Sequence, residues 1–252
     1  MTLSKSKISL FKSLSIKKYR LQHNLFIAEG EKIVNEIIKS NFSIKYIIHT
    51  EKWTNNFHTK NAEIINVKLS EIDKITNLKT SPQVVAIVDI PRNDLHISSL
   101  KSKLTLAIDD IQDPGNLGTL IRICDWFGIE NIICSQNSVD VFNPKVIQAS
   151  MGSFLRVNVH YVNLHDFINE YKNTTDNVCY GTFLDGENLY NCEKQECSLI
   201  ILGNEGKGIS EEVENLIDKR LFIPPFNAEQ HSESLNISIA GAVVCSEFRR
   251  KN

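Results

Sequence analysis

Residues 104–128 read LTLAIDDIQDPGNLGTLIRICDWFG, and the character of the chain changes twice within them. KLTLAID (103–109) is a short apolar run of strand length, and GNLGTLIRICDWF (115–127) reads as a helix that Gly128 stops. Gly115 and Gly118 allow a tight turn between them, and Asn116 is placed to cap the helix. Arg122 follows six residues after Asn116 and is the only charged residue between Asp113 and Asp125. Taken alone, such an arginine reaches past an apolar helix face to solvent.

The strand–turn–helix unit recurs through the second half of the chain. IENIICS, RVNVHYV, NVCYGTF, CSLIILG and RLFIP read as strands. NPKVIQAS, LHDFINEYK, SEEVENLI and the mostly apolar stretch after Asn236, ending in Arg249, Arg250 and Lys251, read as helices, with Ser210 opening the third and Glu211 and Glu212 favoured at its positive end. Alternating strands and helices predict an α/β fold with a mainly parallel sheet covered by helices on both faces. Ligands of such sheets bind beyond the carboxyl ends of the strands.

The first 92 residues form a different unit. Ile33, Val34, Ile37 and Ile38 recur at helical spacing, IKYIIH, EIINV and VVAIVDI are strand-like, and LSEIDKITNL predicts a helix. PRNDLHISSLKSK begins with Pro91 and has no period, as expected of a linker. The division predicted is therefore 1–92, a linker at 93–103, and 104–252.

Charge follows the same division. The 252-residue chain has a net charge of −2, yet residues 1–92 carry 15 Lys and Arg against 8 Asp and Glu, leaving −9 on the remainder. Lys5, Lys7, Lys12, Lys17, Lys18 and Arg20 precede the first acid, which suits either a polyanion partner or a solvated basic helix. The six cysteines have neither C-x-x-C nor zinc spacing, so no metal site is expected, and their apolar settings suit a reducing, cytoplasmic compartment. No apolar run approaches the length of a membrane span, and no signal peptide is read at the start.

Two further polar turns close strands. LIILGNEGKGIS interleaves Gly203, Gly206 and Gly208 with Asn204, Glu205 and Lys207. It fails the P-loop pattern, because Ile201 and Gly208 stand where a glycine and a Ser/Thr belong. This disfavours a nucleotide-hydrolysing reading, and the central carboxylate suits a cationic or hydroxyl-rich ligand better than a bare phosphate. The third turn runs RLFIPPFNAEQHSESLNISIA, where Pro224 and Pro225 lack amide donors and Ser234 or Asn236 caps the last helix.

In this order the three turns resemble the motifs of the SpoU (TrmH-like) class of RNA ribose methyltransferases, within the SPOUT superfamily. Asn116, Gly118 and Arg122 match the first motif. Gly203, Glu205 and Gly208 match the second, and Ile223, Pro224, Ser234, Leu235 and Asn236 match the third. The loop PFNAEQHSE is longer than is usual in the class and lacks its glycine. SLSIKKYRLQHNLFIAEGEKIVNEII resembles the ribosomal-protein-like substrate-binding domain fused in front of many members.

The resemblance implies a C-terminal trefoil knot, a homodimer, S-adenosylmethionine as cofactor and methyl transfer to a ribose 2′-hydroxyl. The fused front domain favours rRNA over tRNA, and a non-catalytic RNA-binding protein of the same fold is the rival reading. The cofactor is implied to lie at Leu202, Gly203, Asn204, Gly208, Ile223, Pro224 and Leu235. The catalytic set is implied to be Arg122, Asn116, Glu205, Ser234 and Asn236, with Glu205 orienting Arg122 or Asn116. The class assigns Arg122 to activating the hydroxyl, but a guanidinium has no acceptor atom and stays protonated, so gripping phosphate and stabilising oxyanion charge is its physical role. Lys17, Lys18, Arg20 and Arg156 are the expected RNA contacts. The Arg/Lys tail is expected to cap the negative end of the C-terminal helix.

Overall fold

The computed structural model describes residues 2–54, 62–227 and 234–250. The chain forms two compact units, one of residues 1–92 with 140–155, the other of 93–139 with 156–252.

In the first unit, α1 (Lys5–Ser13) starts at Ser4, whose hydroxyl accepts from the Lys7 amide, and α2 (Lys17–His23) ends on left-handed Asn24. Then follow β1 (Leu25–Glu29), α3 (Glu31–Lys39), β2 (Ile44–His49), β3 (Glu63–Asn66), α4 (Leu69–Ile72) and β4 (Val84–Asp89). The sheet order is β1-β4-β2-β3, with β4 antiparallel to both neighbours and β2 parallel to β3. Helix α3 buries Ile33, Val34 and Ile37, the stripe that its sequence spacing predicts. Phe11, Leu14, Ile27, Ile48, Ile72 and Val85 belong to one core cluster. The expected 69–78 helix is only the four-residue α4.

The second unit is laid out as β5 (Thr105–Ile108), α5 (Pro114–Trp126) and β6 (Asn131–Ser135). The chain then contributes α6 (Pro144–Ser150) to the first unit, where α6 packs on β1 and Gln148 Nε2 donates to the Glu29 carbonyl at 2.7 Å. Phe142 stacks on Phe26 at 4.7 Å between ring centres, and Phe154 meets Phe26 edge-on at 6.0 Å. The second unit resumes with β7 (Asn158–Val162), α7 (Leu164–Thr174), β8 (Cys179–Phe183), β9 (Glu187–Asn188), β10 (Leu199–Leu202), α8 (Glu211–Glu214), β11 (Lys219–Phe222) and α9 (Ile237–Arg249).

The seven strands run β7-β6-β5-β10-β8-β11-β9, and every neighbouring pair is parallel. Strands β5 and β10 are buried at every residue, as expected where both faces are covered. Leu199 and Ile201 share a core cluster with Phe167 and Ile168 of α7 and Val213 of α8. Side chains alternate along a strand, so Ile200 and Leu202 face the other way. There a Cβ on Gly241 of α9 would lie 2.6 Å from Leu120 of α5 and 3.1 Å from Leu202, so glycine permits the close seat of α9.

Residues 93–103 are packed into this unit rather than extended: a 3₁₀ turn at Ile97–Leu100 buries Leu100 completely, and Leu95 and Ile97 pack on the same cluster. Burial pushes the thiols of Cys134, Cys179 and Cys245 up to about 12, as expected of small hydrophobes in a core. No helix among the described residues is long and apolar enough to cross a membrane.

Candidate active site

Strands β6 and β7 are added on one side of β5 and the later strands on the other, beginning with its parallel neighbour β10, so the turns that follow β5 and β10 leave the same edge of the sheet side by side. Each turn is shaped by its own polar groups. The cap of α5 is Asp113, not the expected Asn116: Asp113 Oδ1 accepts from the Asn116 amide at 2.8 Å and Pro114 occupies the first helical position. The Asn116 side chain is thereby left for other partners.

In the second turn, Asn204 Nδ2 donates to the Asp110 carbonyl at 2.7 Å, while its Oδ1 accepts from the amides of Gly206 at 2.9 Å and Lys207 at 3.1 Å. The Asn204 side chain, expected at the cofactor, instead shapes the loop. Asn204 and Gly208 exchange backbone hydrogen bonds of 2.9 Å in each direction. This folds the loop back so tightly that a Cβ on Gly203 would lie 2.3 Å from the Gly208 carbonyl carbon, leaving glycine as the one residue that fits. Asp109, 8% exposed, accepts from both the amide and the hydroxyl of Ser210, at 2.9 and 2.6 Å, and so ties the end of β5 to the start of α8.

In the third turn Asn236, not Ser234, caps α9, its Oδ1 accepting from the Ser238 amide at 2.9 Å and hydroxyl at 2.6 Å. Ser234 and Leu235 are exposed, and residues 228–233 of the long loop lie outside the described residues.

The turns meet at one amide. Asn116 Nδ2 donates to Glu205 Oε1, and Asn116 Oδ1 accepts from Asn236 Nδ2 at 3.0 Å. Residues 89 and 120 positions away thus bond to opposite ends of one side chain, and a single amide orientation satisfies both. Glu205 bonds Asn116 and makes no hydrogen bond or ion pair with Arg122 among the described residues. Arg122 is exposed and has no hydrogen bond or ion pair among the described residues.

Gly203, two residues before Glu205, and Ile223, directly after β11, are half-buried, and with Leu235, which precedes Asn236, they make no backbone hydrogen bond among the described residues. Backbone groups so placed need a partner from solvent or ligand. Peptide groups with no partner among the described residues, on segments that also carry the apolar Leu202, Ile223, Pro224 and Leu235, suit an adenosyl group, whose ring presents an apolar face and a polar edge.

A family model described as the SpoU rRNA Methylase family matches residues 103–246. The chain belongs to this family. A second model, for an MRM3-like substrate binding domain, matches residues 5–86. The 23S rRNA (guanosine(2553)-2′-O)-methyltransferase RlmP of Bacillus subtilis (strain 168) is 31% identical over 246 residues, covering 96% of each chain. A solved structure from the TrmH family of RNA methyltransferases, from Porphyromonas gingivalis, is 35% identical with a TM-score of 0.89, covering 99% of both chains. The AdoMet-bound rRNA methyltransferase of Sinorhizobium meliloti is 25% identical with a TM-score of 0.84, covering 99% of this chain and 96% of its own.

The motifs of this SpoU chain converge, whereas two of the expected RNA contacts are committed elsewhere. Arg20 is 1% exposed: its Nε and Nη2 donate to Asp140 at 2.8 and 2.6 Å and its Nη1 to the Leu14 carbonyl at 2.8 Å. Every donor direction faces protein, so Arg20 is a structural residue and does not reach phosphate. Arg156 holds Asp125 of α5 through Nε at 3.0 Å and Nη2 at 2.7 Å. Lys17 and Lys18 lie exposed on α2. Arg249 caps α5 rather than its own helix, donating to the carbonyls of Phe127 at 3.1 Å and Gly128 at 3.4 Å. Sequence reasoning missed Asp113 and Asp109, and it read Ser210 only as a helix start, not as the partner of Asp109. The Asp-Pro pair before the helix was the available signal for Asp113.

Proposed function

We propose that this SpoU-family protein methylates a ribose 2′-hydroxyl of rRNA using S-adenosylmethionine. The observation that carries the reading is the Asn116 junction, because it brings the three motif turns to one point beside unpaired backbone groups. The relatives of Bacillus subtilis and Sinorhizobium meliloti are named as rRNA methyltransferases, and the match to a substrate-binding domain favours rRNA over tRNA.

S-adenosylmethionine, when bound, supplies the electrophilic methyl group. The backbone of Gly203, Ile223 and Leu235 would hold it, with Leu202 and Pro224 walling it and Asn204 and Gly208 keeping the loop in shape. Ser234 and Asn236 position the ribose or the turn that receives it. Arg122, an unpaired guanidinium, grips the neighbouring phosphate with its planar fork and stabilises charge developing on the ribose oxygen. Lys17 and Lys18 are the RNA contacts proposed for the basic first unit.

A homodimer and the trefoil knot belong to the same reading. Trp126 at the end of α5 and Ile239 on α9 are 85% and 53% exposed, which supports a second copy covering these helices. A cytoplasmic place follows from an rRNA substrate.

The test is incubation of the protein with unmodified 23S rRNA of Bacillus subtilis, transcribed in vitro, and methyl-labelled S-adenosylmethionine, followed by mapping of alkali-resistant linkages. One or a few discrete 2′-O-methyl positions are expected. Label on bases alone, or binding of the RNA without transfer, overturns the reading, the latter in favour of a non-catalytic RNA-binding role.

A further inference from the structure

Resting on that reading, we infer that Glu205 is the general base that takes the proton from the ribose 2′-hydroxyl. The reaction needs an acceptor, and the junction offers few. Arg122 has none, and the amides of Asn116 and Asn236 are too weakly basic. Asp109 is buried and holds the amide and hydroxyl of Ser210 on its Oδ2. Asp110 accepts on both oxygens, from Gln112 Nε2 on Oδ1 at 2.6 Å and from Asn204 Nδ2 on Oδ2 at 3.5 Å, and Asp113 is turned onto the first turn of α5 as its cap. Glu205 is exposed at the junction, and only its Oε1 is engaged, by Asn116; Oε2 has no partner among the described residues.

The amide chain explains how an exposed carboxylate is aimed. Asn236 is fixed by the Ser238 amide and hydroxyl, Asn236 fixes Asn116, and Asn116 fixes Oε1. Every link passes a hydrogen bond towards the carboxylate, which leaves Oε2 as the free acceptor at the end of the chain. In the step, the O2′–H bond breaks and its proton passes to Glu205 Oε2. The ribose oxygen forms its bond to the methyl carbon as the S–CH3 bond breaks, and that bonding pair returns to sulfur, which becomes a neutral thioether. Solvent then removes the proton from exposed Glu205.

Glu205→Gln separates this role from mere positioning. The glutamine carbonyl still accepts from Asn116 Nδ2, so the amide chain survives while the base is lost. We expect kcat on the 23S rRNA transcript to fall about 10²–10⁴-fold, with the calorimetric Kd for S-adenosylmethionine and the melting temperature unchanged. The residual rate should rise about tenfold per pH unit as hydroxide replaces the base, more steeply than in the wild type. A variant that keeps kcat within tenfold of wild type, or that shows the wild-type pH dependence, overturns the assignment. A fall in kcat that comes with weaker cofactor binding also overturns it, in favour of a structural role. Absence of 2′-O transfer by the wild type sinks the underlying reading instead, so the two failures are distinguishable.

Discussion

The corner around Arg20 and the turn around Arg122 use the same side chain in opposite ways. In the first unit, Arg20 is enclosed, with Asp140 on two of its nitrogens and the Leu14 carbonyl on the third. In the second, Arg122 projects from α5 with no partner at all among the described residues. Six residues of helix separate it from Asn116, about 9 Å along the axis and on another side, so the amide junction is complete without it. A guanidinium removed from water needs all its donors satisfied, and one kept in water and unpaired is available for a ligand. The partners, not the residue type or the local density of charge, decide which arginine is left available to a ligand.

The largest effect expected from breaking this contrast is on stability. Arg20→Ala strands Asp140 and should cost about 3–5 kcal/mol in denaturant unfolding, while a double Arg20→Met, Asp140→Leu variant recovers most of that loss. A loss under 1 kcal/mol for the single variant would mean that the pair is not buried in solution. Arg122→Ala should instead leave unfolding unchanged and lower kcat about 10²–10³-fold. Arg122→Lys should fall nearly as far, because a point charge cannot replace the planar fork. Near-full rate in the lysine variant would remove Arg122 from the phosphate.

Smaller effects sharpen the comparison. Replacing Lys17 and Lys18 together by alanine should reduce the slope of log binding constant against log salt by about 2, one per lost phosphate contact. An unchanged slope gives the basic unit another task. Arg156, whose side chain is 53% exposed beside Asp125, stands between the two extremes. Arg156→Ala should cost under about 1 kcal/mol in the same unfolding measurement, since water screens such a pair.

The sequence patterns that proved readable were local ones. Apolar runs located six of the seven strands of the parallel sheet, all but the two-residue polar β9, and the Ile33, Val34 and Ile37 stripe located the buried face of α3. The three polar turns were legible because each closes a strand and carries residues with few structural uses. What local patterns omit is the partner. Nothing near Asn116 shows that its amide is spoken for by residues 89 and 120 positions away. Nor does a basic stretch show that Arg20 faces Asp140, 120 residues on. The helices α4 and α8 came out at four residues each, because propensity alone does not hold a short helix without packing along its length. Gly203 was legible as a close approach, but its nearest neighbour is the backbone of its own loop.

The excursion of residues 140–155 into the first unit bears on the order in which the chain folds. A ribosome releases the N-terminal sheet early, yet Phe26, Glu29 and Arg20 still await Phe142, Gln148 and Asp140. Completion of that unit is therefore delayed until about fifty further residues, including β5, α5 and β6, have been synthesised. Neither half of this protein can finish as a nascent chain before the other has begun.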